Sequence, residues 1–238
     1  MILDSNQTKE KILAEFLSIC AFEGWSNETL LKAISNCKIE EKFLNLIFEN
    51  GCISLAEFYI DFQNKKAAEE LAKIENFHSQ KIRDKIRFAL YARFDVEKNN
   101  QLALQRLANF YANPKNLKSF EVGFKPALQG VKSCFEISDF IWKEINDQST
   151  DFNFYTKRLT LAKIILRSFL VFLKDESEEF NLTRKFIDGE IEKVMKFEKN
   201  KQKAKKIFTE TFLNEKGSLK SPKEFVKDLP FFRLTKFK

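Results

Sequence analysis

Apolar residues recur every three or four positions along most of the chain, and this spacing limits the folds it can adopt. Ile12, Leu13, Phe16, Leu17 and Cys20 form the first such stripe, and comparable stripes follow as far as Trp142 and beyond. A stripe of this period marks a helix that buries one face, whereas a half-buried strand alternates apolar and polar residues. No clean alternating run flanked by turns occurs. The sequence therefore predicts an all-α fold of about nine or ten helices.

The first 60 residues predict three short helices followed by a longer one. Gly24 is placed to end the first helix, and Ser26 or Asn27 to cap the second. The third is expected near Glu40–Phe48, and Ser54 is expected to open the long helix as part of a capping box. This order is the helix-turn-helix layout of TetR-type regulators.

The predicted third helix is badly suited to a DNA groove. Glu40, Glu41 and Lys42 offer two carboxylates and one cation, whereas phosphate contacts favour Lys and Arg. We therefore expect residues 1–52 to form a helix-turn-helix-like packing unit that binds no nucleic acid. A TetR-type transcriptional repressor that senses an apolar ligand is the alternative function.

The positive charge of the chain is concentrated near its end. From Ile191 onward there are 14 Lys and Arg against six Asp and Glu, while the preceding 190 residues hold 27 and 28. Cations mixed with apolar anchors are typical of helices that lie on anionic lipid. We expect residues 200–238 to form a basic amphipathic tail, with docking on the body or binding of nucleic acid as alternatives. The expected membrane anchors are Ile207, Phe208, Phe212 and Leu213.

The most distinctive segment is Ser149–Arg158, STDFNFYTKR. Ser149, Thr150 and Asp151 predict a helix start, with a hydroxyl cap and a carboxylate in the first turn. Asp151, Phe154, Tyr155 and Arg158 then share one face of that helix. Exposed aromatic rings flanked by Asp and Arg are typical of protein interfaces. Rings buried in the core, with charges that only cap and solvate the helix, are the alternative.

This segment resembles the signature of a family of ubiquinone (coenzyme Q) biosynthesis accessory proteins, the ninth in that series. The resemblance covers roughly residues 10 to 200. It takes in Gly24-Trp25-Ser26, Asp139 and Trp142, and Asp175-Glu176-Ser177. One departure is Asn146, where the family has glycine.

The resemblance implies a non-enzymatic lipid-binding protein with a TetR-like fold, usually a homodimer. Residues 53–199 would form the ligand-binding and dimerisation domain. Such a protein holds an isoprenoid or phospholipid in an apolar cavity and presents quinone precursors to a di-iron hydroxylase at a membrane surface. The residues that would face the hydroxylase, carried over by motif position, are Asp139, Ile141, Asp151, Phe154, Tyr155 and Arg158.

The residues themselves offer no specific catalytic or metal-binding pattern. His78 is the single histidine, and one Glu75-x-x-His78 pair is not enough for a di-iron site, which needs two. There is no GxGxxG, P-loop or HExxH motif. The cysteines form no CxxC pair, which favours a reduced, cytosolic-type compartment. We expect no enzyme activity, no cofactor, no metal, and a cytoplasmic protein peripherally associated with the inner face of a membrane.

Residues 159–173 are apolar on nearly every side, which is unusual for a surface helix. With Phe186, Ile187, Ile191 and Val194, they predict a four-helix interface between two copies of the chain, and burial within one chain is the alternative. We also expect a closed apolar cavity among residues 55–175. A dimeric scaffold without ligand, its interior filled by phenylalanine, is the third functional class.

Overall fold

The computed structural model describes residues 6–113 and 124–199, and all regular structure in these two ranges is helical. Short 3₁₀ turns join some of the α-helices. The predicted all-α fold is confirmed, and the layout agrees with a TetR-like fold. In chain order the described helices are α1 Asn6–Glu23, α2 Asn27–Asn36, α3 Leu44–Ile47, α4 Cys52–Ala72, α5 Ile82–Asp95, α6 Gln101–Ala112, α7 Phe124–Glu144, α8 Asp151–Phe172 and α9 Asn181–Lys199.

The N-terminal unit has the predicted order of three short helices before a long one. Helix α1 ends where Gly24 adopts a φ of +92°, and the Gly24 N–H donates to the Cys20 carbonyl at 2.9 Å. Ser26 caps α2, since its hydroxyl oxygen accepts from the Thr29 N–H at 3.1 Å. Both predicted helix boundaries are confirmed.

Helix α3 is much shorter than the predicted third helix. Glu41–Phe43 form a 3₁₀ turn, and only Leu44–Ile47 are α-helical. Lys42, the cation of the segment, pairs with Glu40 at 2.6 Å. The helix that reads DNA in the regulators is here a single turn without a Lys or Arg.

The start of α4 differs from the prediction. The helix begins at Cys52, and the Ser54 hydroxyl accepts from the Asn50 N–H at 3.1 Å, so Ser54 lies inside the first turn and is no N-cap. The Cys52 N–H instead donates to the side-chain oxygen of Asn27 at 2.8 Å. Gly51 leaves room for this amide, because a Cβ there would lie 2.3 Å from the same oxygen. The cap therefore comes from α2, 25 positions earlier in the chain.

Helix α7 is the centre of the remaining bundle, since it packs against α4, α5, α6 and α8. Helix α9 covers α5 and α8, and α1 connects the N-terminal unit to α4 and α6. Trp25 joins the two parts: its ring lies edge-on to Phe16 at 4.7 Å, and its N–H donates to the Cys52 carbonyl at 3.1 Å. One continuous apolar core therefore runs through the described chain.

The turn between α7 and α8 contains Asn146, the position at which the sequence departs from the family pattern. Asn146 adopts a φ of +59°, the left-handed conformation that favours glycine and that asparagine tolerates best among the other residues. Helix α8 begins at Asp151 as predicted, but the hydroxyl of the N-cap residue Thr150 makes no capping bond. The Ser149 hydroxyl donates to Asp147 instead.

The apolar segment at 159–173 is mostly buried within its own chain. Leu161, Ile164 and Ile165 face the core, as do Ile187 and Ile191 of the predicted dimer interface. Leu170 remains 43% exposed on the outer side of α8. Intrachain burial accounts for most of the stripe, and the homodimer stays a prediction. The predicted membrane anchors Ile207, Phe208, Phe212 and Leu213 lie outside the described residues.

Candidate functional site

The structure brings five of the six residues carried over by motif to the packed pair α7–α8, which we call the α7–α8 patch: Asp139, Ile141, Phe154, Tyr155 and Arg158. The two helices are tied at this point by the Ser138 hydroxyl, which donates to the Arg158 carbonyl at 2.8 Å. Asp151, the sixth, is the first residue of α8, and its side chain lies outside the described part. The spacing of residues along one helix predicted a shared face, and the packing adds α7 to it.

Arg158 is buried rather than presented to solvent, with 2% of its surface exposed. Its Nε donates to Asp139 at 2.5 Å, and its Nη1 lies 3.5 Å from an oxygen of Asp147. The guanidinium carbon lies 3.4 Å from the centre of the Phe154 ring. Ile141 is also fully buried. These two residues support the patch from below, where a partner would not touch them directly.

The two carboxylates that hold Arg158 each bind a lysine as well. Lys143 lies 2.7 Å from Asp139, and Lys157 lies 2.6 Å from Asp147. Burial by itself would raise the pKa of both carboxyls, but these hydrogen bonds outweigh it, so both pKa values lie below the ordinary range. Both groups are therefore ionised at neutral pH.

The rings of Phe154 and Tyr155 form the outer surface of the patch. Their centres are 5.2 Å apart in an edge-to-face arrangement, and Tyr155 is 50% exposed. Phe154 is half-buried because its inner face covers Arg158. The patch thus presents aromatic surface over a layer of paired charge, which is the composition of a protein interface core.

Asp147 is the residue of this patch that the sequence reasoning missed. Its side chain is almost fully buried at the turn between the helices, where it pairs with Lys157 and Arg158 and accepts from the Ser149 hydroxyl. The available signal was the left-handed turn residue that precedes it. The motif pattern, read along α8 only, gave no reason to connect a turn carboxylate with Arg158.

A second buried polar cluster lies between α4 and α5. Arg93 is ion-paired with Glu97, and its Nε donates to Asn64 at 3.0 Å. Tyr59 and Gln63 also donate to Glu97, the latter at 2.8 Å. Burial, followed by the neighbouring Glu97 charge, raises the pKa of Tyr59 well above its ordinary value. Tyr59 therefore stays a phenol that stabilises the carboxylate, and the cluster fastens α5 to α4.

The four cysteine thiols are poor nucleophiles at neutral pH. All four cysteines are buried and unpaired, and burial raises the pKa of Cys20 to about 12 and of Cys134 to about 12. A thiol is nucleophilic only as the thiolate, so these residues are inert at neutral pH. His78 is exposed in a 3₁₀ turn, with its ring edge-on to Phe77 at 5.2 Å. Within residues 6–113 and 124–199, no three His, Cys, Asp or Glu side chains lie close enough to hold a metal ion.

Aromatic rings occupy much of the interior between α5, α8 and α9. The centre of the Phe94 ring lies 4.7 Å from that of Phe169 and 5.4 Å from that of Phe172. The ring centres of Phe172 and Phe180 are 4.8 Å apart. The small space beside them measures about 10 Å³. A larger groove of about 330 Å³ lies at the end of α4, around Leu71, Ile74 and Phe77, and is open to solvent. Neither is an enclosed chamber for a polyprenyl chain, and the closed apolar cavity stays a prediction.

Among the described helices, none is both long and apolar enough to cross a bilayer.

A family model matches the region of the patch. Residues 127–198, which span nearly all of α7, the whole of α8 and nearly all of α9, match the family model COQ9.

Several relatives resemble the chain over most of its length. It is 26% identical over 217 residues to a probable ubiquinone biosynthesis protein coq9, mitochondrial, of Dictyostelium discoideum, a match that covers 88% of this chain and 67% of the relative. It is 25% identical over 195 residues to ubiquinone biosynthesis protein COQ9-A, mitochondrial, of Xenopus laevis, a match that covers 79% of this chain and 58% of the relative. The identity to the Homo sapiens COQ9 protein is 21% over 194 residues, which covers 79% of this chain and 58% of that protein. The chain thus spans between 58% and 67% of the length of these relatives.

Proposed function

We propose that this chain, which matches the COQ9 model over residues 127–198 and resembles COQ9 proteins over most of its length, serves ubiquinone biosynthesis as a non-enzymatic accessory protein. It binds an isoprenoid or phospholipid and presents quinone precursors to a di-iron hydroxylase at an anionic membrane surface. The observation that carries the proposal is the coincidence of the matched region with the α7–α8 patch, where Tyr155 is half exposed.

The chemistry of the described residues supports an accessory role over catalysis. Their thiols are protonated at neutral pH. The single histidine lies in an exposed turn, where its ring contacts Phe77. The short α3, without Lys or Arg, gives no support to the alternative of a transcriptional repressor.

Binding to the hydroxylase tests the role of the patch. Tyr155→Lys places a charge in the middle of the aromatic surface and should abolish binding while the fold remains intact, since a lost interface anchor costs about 2 kcal/mol or more. Leu46→Lys makes the same kind of change at an exposed residue of α3 and is the matched control. Loss of thermal stability in Tyr155→Lys, in place of lost binding, would show that the ring belongs to the core.

Lipid binding is tested by native mass spectrometry of the purified full chain, with identification of any lipid released. We expect a polyprenyl or phospholipid species in an apolar site among residues 55–175. A delipidated chain that binds no polyprenyl or phospholipid probe would contradict this part of the proposal and favour a scaffold without ligand.

The membrane role is assigned to the basic residues 200–238, with Ile207, Phe208, Phe212 and Leu213 as anchors. Deleting this segment should reduce sedimentation with anionic liposomes, because each lysine near such a surface contributes about 1 kcal/mol. Equal sedimentation of the shortened and full chains would contradict it. We place the protein on the inner face of a membrane; the relatives are named mitochondrial, whereas the sequence predicted a cytoplasmic protein.

We also propose a homodimer formed through the outer side of α8 and α9. Leu170 and Phe197 are exposed there, while the more buried residues of the predicted interface already serve the chain's own core. Light scattering at micromolar concentration should give twice the mass of one chain, and a monomer would contradict the dimer.

A further inference from the structure

We infer that Asp139 and Asp147 are positioning residues of the α7–α8 patch: they hold Arg158 beneath Phe154, so that Phe154 and Tyr155 meet the partner as a preformed pair of rings. The inference rests on the proposed function, since it concerns how the same patch binds its partner. It assigns a role to Asp147, and it changes that of Asp139 from a contact with the partner to a support within the chain.

The cation beneath the Phe154 ring is buried. Arg158 donates to Asp139 and approaches Asp147, at 2.5 Å and 3.5 Å, while its guanidinium lies against the inner face of Phe154 at 3.4 Å from the ring centre. Its Nη1 also donates to the Phe154 carbonyl at 3.4 Å. A buried arginine with these contacts fixes both the ring and the backbone of residue 154.

The exposed Tyr155 ring packs against Phe154. Tyr155 lies edge-on to Phe154, with an angle of 78° between the ring planes. A fixed Phe154 therefore restricts the orientations open to Tyr155 before any partner arrives. A preformed ring pair loses less conformational entropy on binding than two free side chains.

Five charged groups surround the rings, and their interactions are made within the chain: Asp139 pairs with Lys143 and Arg158, and Asp147 pairs with Lys157 and Arg158. Lys157 also lies 5.0 Å from the centre of the Trp142 ring. A partner that fits this surface offers an apolar cleft for two aromatic rings, because the nearby carboxylates already have cations of their own.

This arrangement predicts a weak dependence of binding on salt. Between about 50 and 500 mM salt the affinity of the full chain for the hydroxylase should change by less than about threefold, since exposed and unpaired charges are what salt screens. A much steeper dependence would overturn the inference and assign the charges to the partner.

The decisive experiment is a set of double-mutant cycles on binding. Phe154→Ala should weaken binding about 30-fold, as for an interface anchor, and Asp139→Asn and Asp147→Asn about 5- to 10-fold each. In the Phe154→Ala background the two Asn variants should have less than about a twofold further effect, because the ring through which they act is gone. Lys65→Met, which removes an exposed cation of α4 outside the patch, is the control and should bind as the wild type does.

Full additivity in the Phe154→Ala background would show that the carboxylates touch the partner, and would overturn the inference. Wild-type binding by both Asn variants would overturn it as well. Failure of the wild-type chain to bind the hydroxylase would instead overturn the proposed function, and this inference with it.

A second readout needs no partner and identifies variants that only fail to fold. In the free chain, the NMR signals of the Arg158 side chain should show the ring-current shift of a group stacked on Phe154. The shift should disappear in Phe154→Ala, decrease in Asp139→Asn and Asp147→Asn, and recover in part in Asp147→Glu. An unchanged shift in the Asn variants, with the rest of the spectrum intact, would overturn the positioning role.

Discussion

Arg93 and Arg158 are both buried, at 1% and 2% exposed, yet their surroundings differ in two respects. Arg93 pairs with a single carboxylate, the fully buried Glu97, and no other Lys or Arg of residues 6–113 and 124–199 forms an ion pair with it. Arg158 shares two carboxylates with two lysines, and its cover is the half-buried ring of Phe154. Similar chemistry therefore joins two helices in one region and shapes a surface in the other.

The two clusters differ in the charge of the carboxylates that remain when the arginine is removed. Without Arg93, Glu97 becomes an unpaired charge in the core. Without Arg158, Asp139 keeps Lys143 and Asp147 keeps Lys157, so both carboxylates remain compensated. The Arg93 cluster should therefore dominate stability, and the Arg158 cluster should matter more for partner binding.

The largest expected effect is that of Arg93→Met, which should lower the free energy of unfolding by about 3–5 kcal/mol, as for other broken buried ion pairs. Denaturant unfolding followed by circular dichroism measures it. Lys65→Met removes an exposed pair with Asp61 and should cost less than about 1 kcal/mol.

The double variant Arg93→Met/Glu97→Met tests the reason for this loss. Removing both charges leaves no unpaired ion, so the double variant should be more stable than Arg93→Met alone. A double variant that is less stable than the single one would contradict the importance of the unpaired charge.

The next effect in size is that of Arg158→Met, which should lower the free energy of unfolding by about 1–3 kcal/mol, the range for hydrogen bonds to charged groups. The same unfolding experiment, made side by side with Arg93→Met, compares the two regions directly. A loss as large as that of Arg93→Met would mean that the two lysines do not compensate Asp139 and Asp147.

A smaller effect separates the two rings of the patch. Phe154→Ala should lower the free energy of unfolding by about 1 kcal/mol, because the ring covers a buried cation. Tyr155→Ala should change it by less than about 0.5 kcal/mol, since half of this side chain is exposed. Thermal melts of both variants measure the difference, and equal losses would contradict the described roles of cover and surface.

The smallest effect is a pH dependence that belongs to the Arg158 region. The pKa values of Asp139 and Asp147 are lowered in the folded chain, so their contribution to stability is complete above the ordinary Asp pKa of about 3.9. It is lost as the pH falls through the lowered values. The free energy of unfolding should thus decline below pH of about 4, and less steeply in Asp147→Asn. A variant with the wild-type slope would show that Asp147 does not contribute.

Much of the fold followed from local patterns. The stripe at Ile12–Cys20, the glycine at position 24 and the cap at Ser26 each act within about three turns of helix, and all three were confirmed. Ser54 failed as a cap because Asn27, from another helix, occupies the position where the Cys52 N–H needs an acceptor. A cap that comes from 25 positions away has no signature in the sequence around the helix it starts.

The patch shows the same division. The spacing of Asp151, Phe154, Tyr155 and Arg158 predicted one shared face of α8, and the COQ9 match covers this region. Spacing alone did not show that Arg158 points inward while Tyr155, three positions earlier, points outward. That depends on Asp139 and Asp147, which lie on another helix and on the turn between the two.

The sequence by itself determined that this chain is helical, where α1 ends, where α2 and α8 begin, and which segment carries the family motif, because these properties depend on residues within a few turns of one another. Only the tertiary structure decided which of the charged and aromatic residues became support and which became surface. The reason is physical: an arginine is buried when carboxylates from separate elements offset the loss of its hydration, and those partners meet only after α7 and α8 have packed.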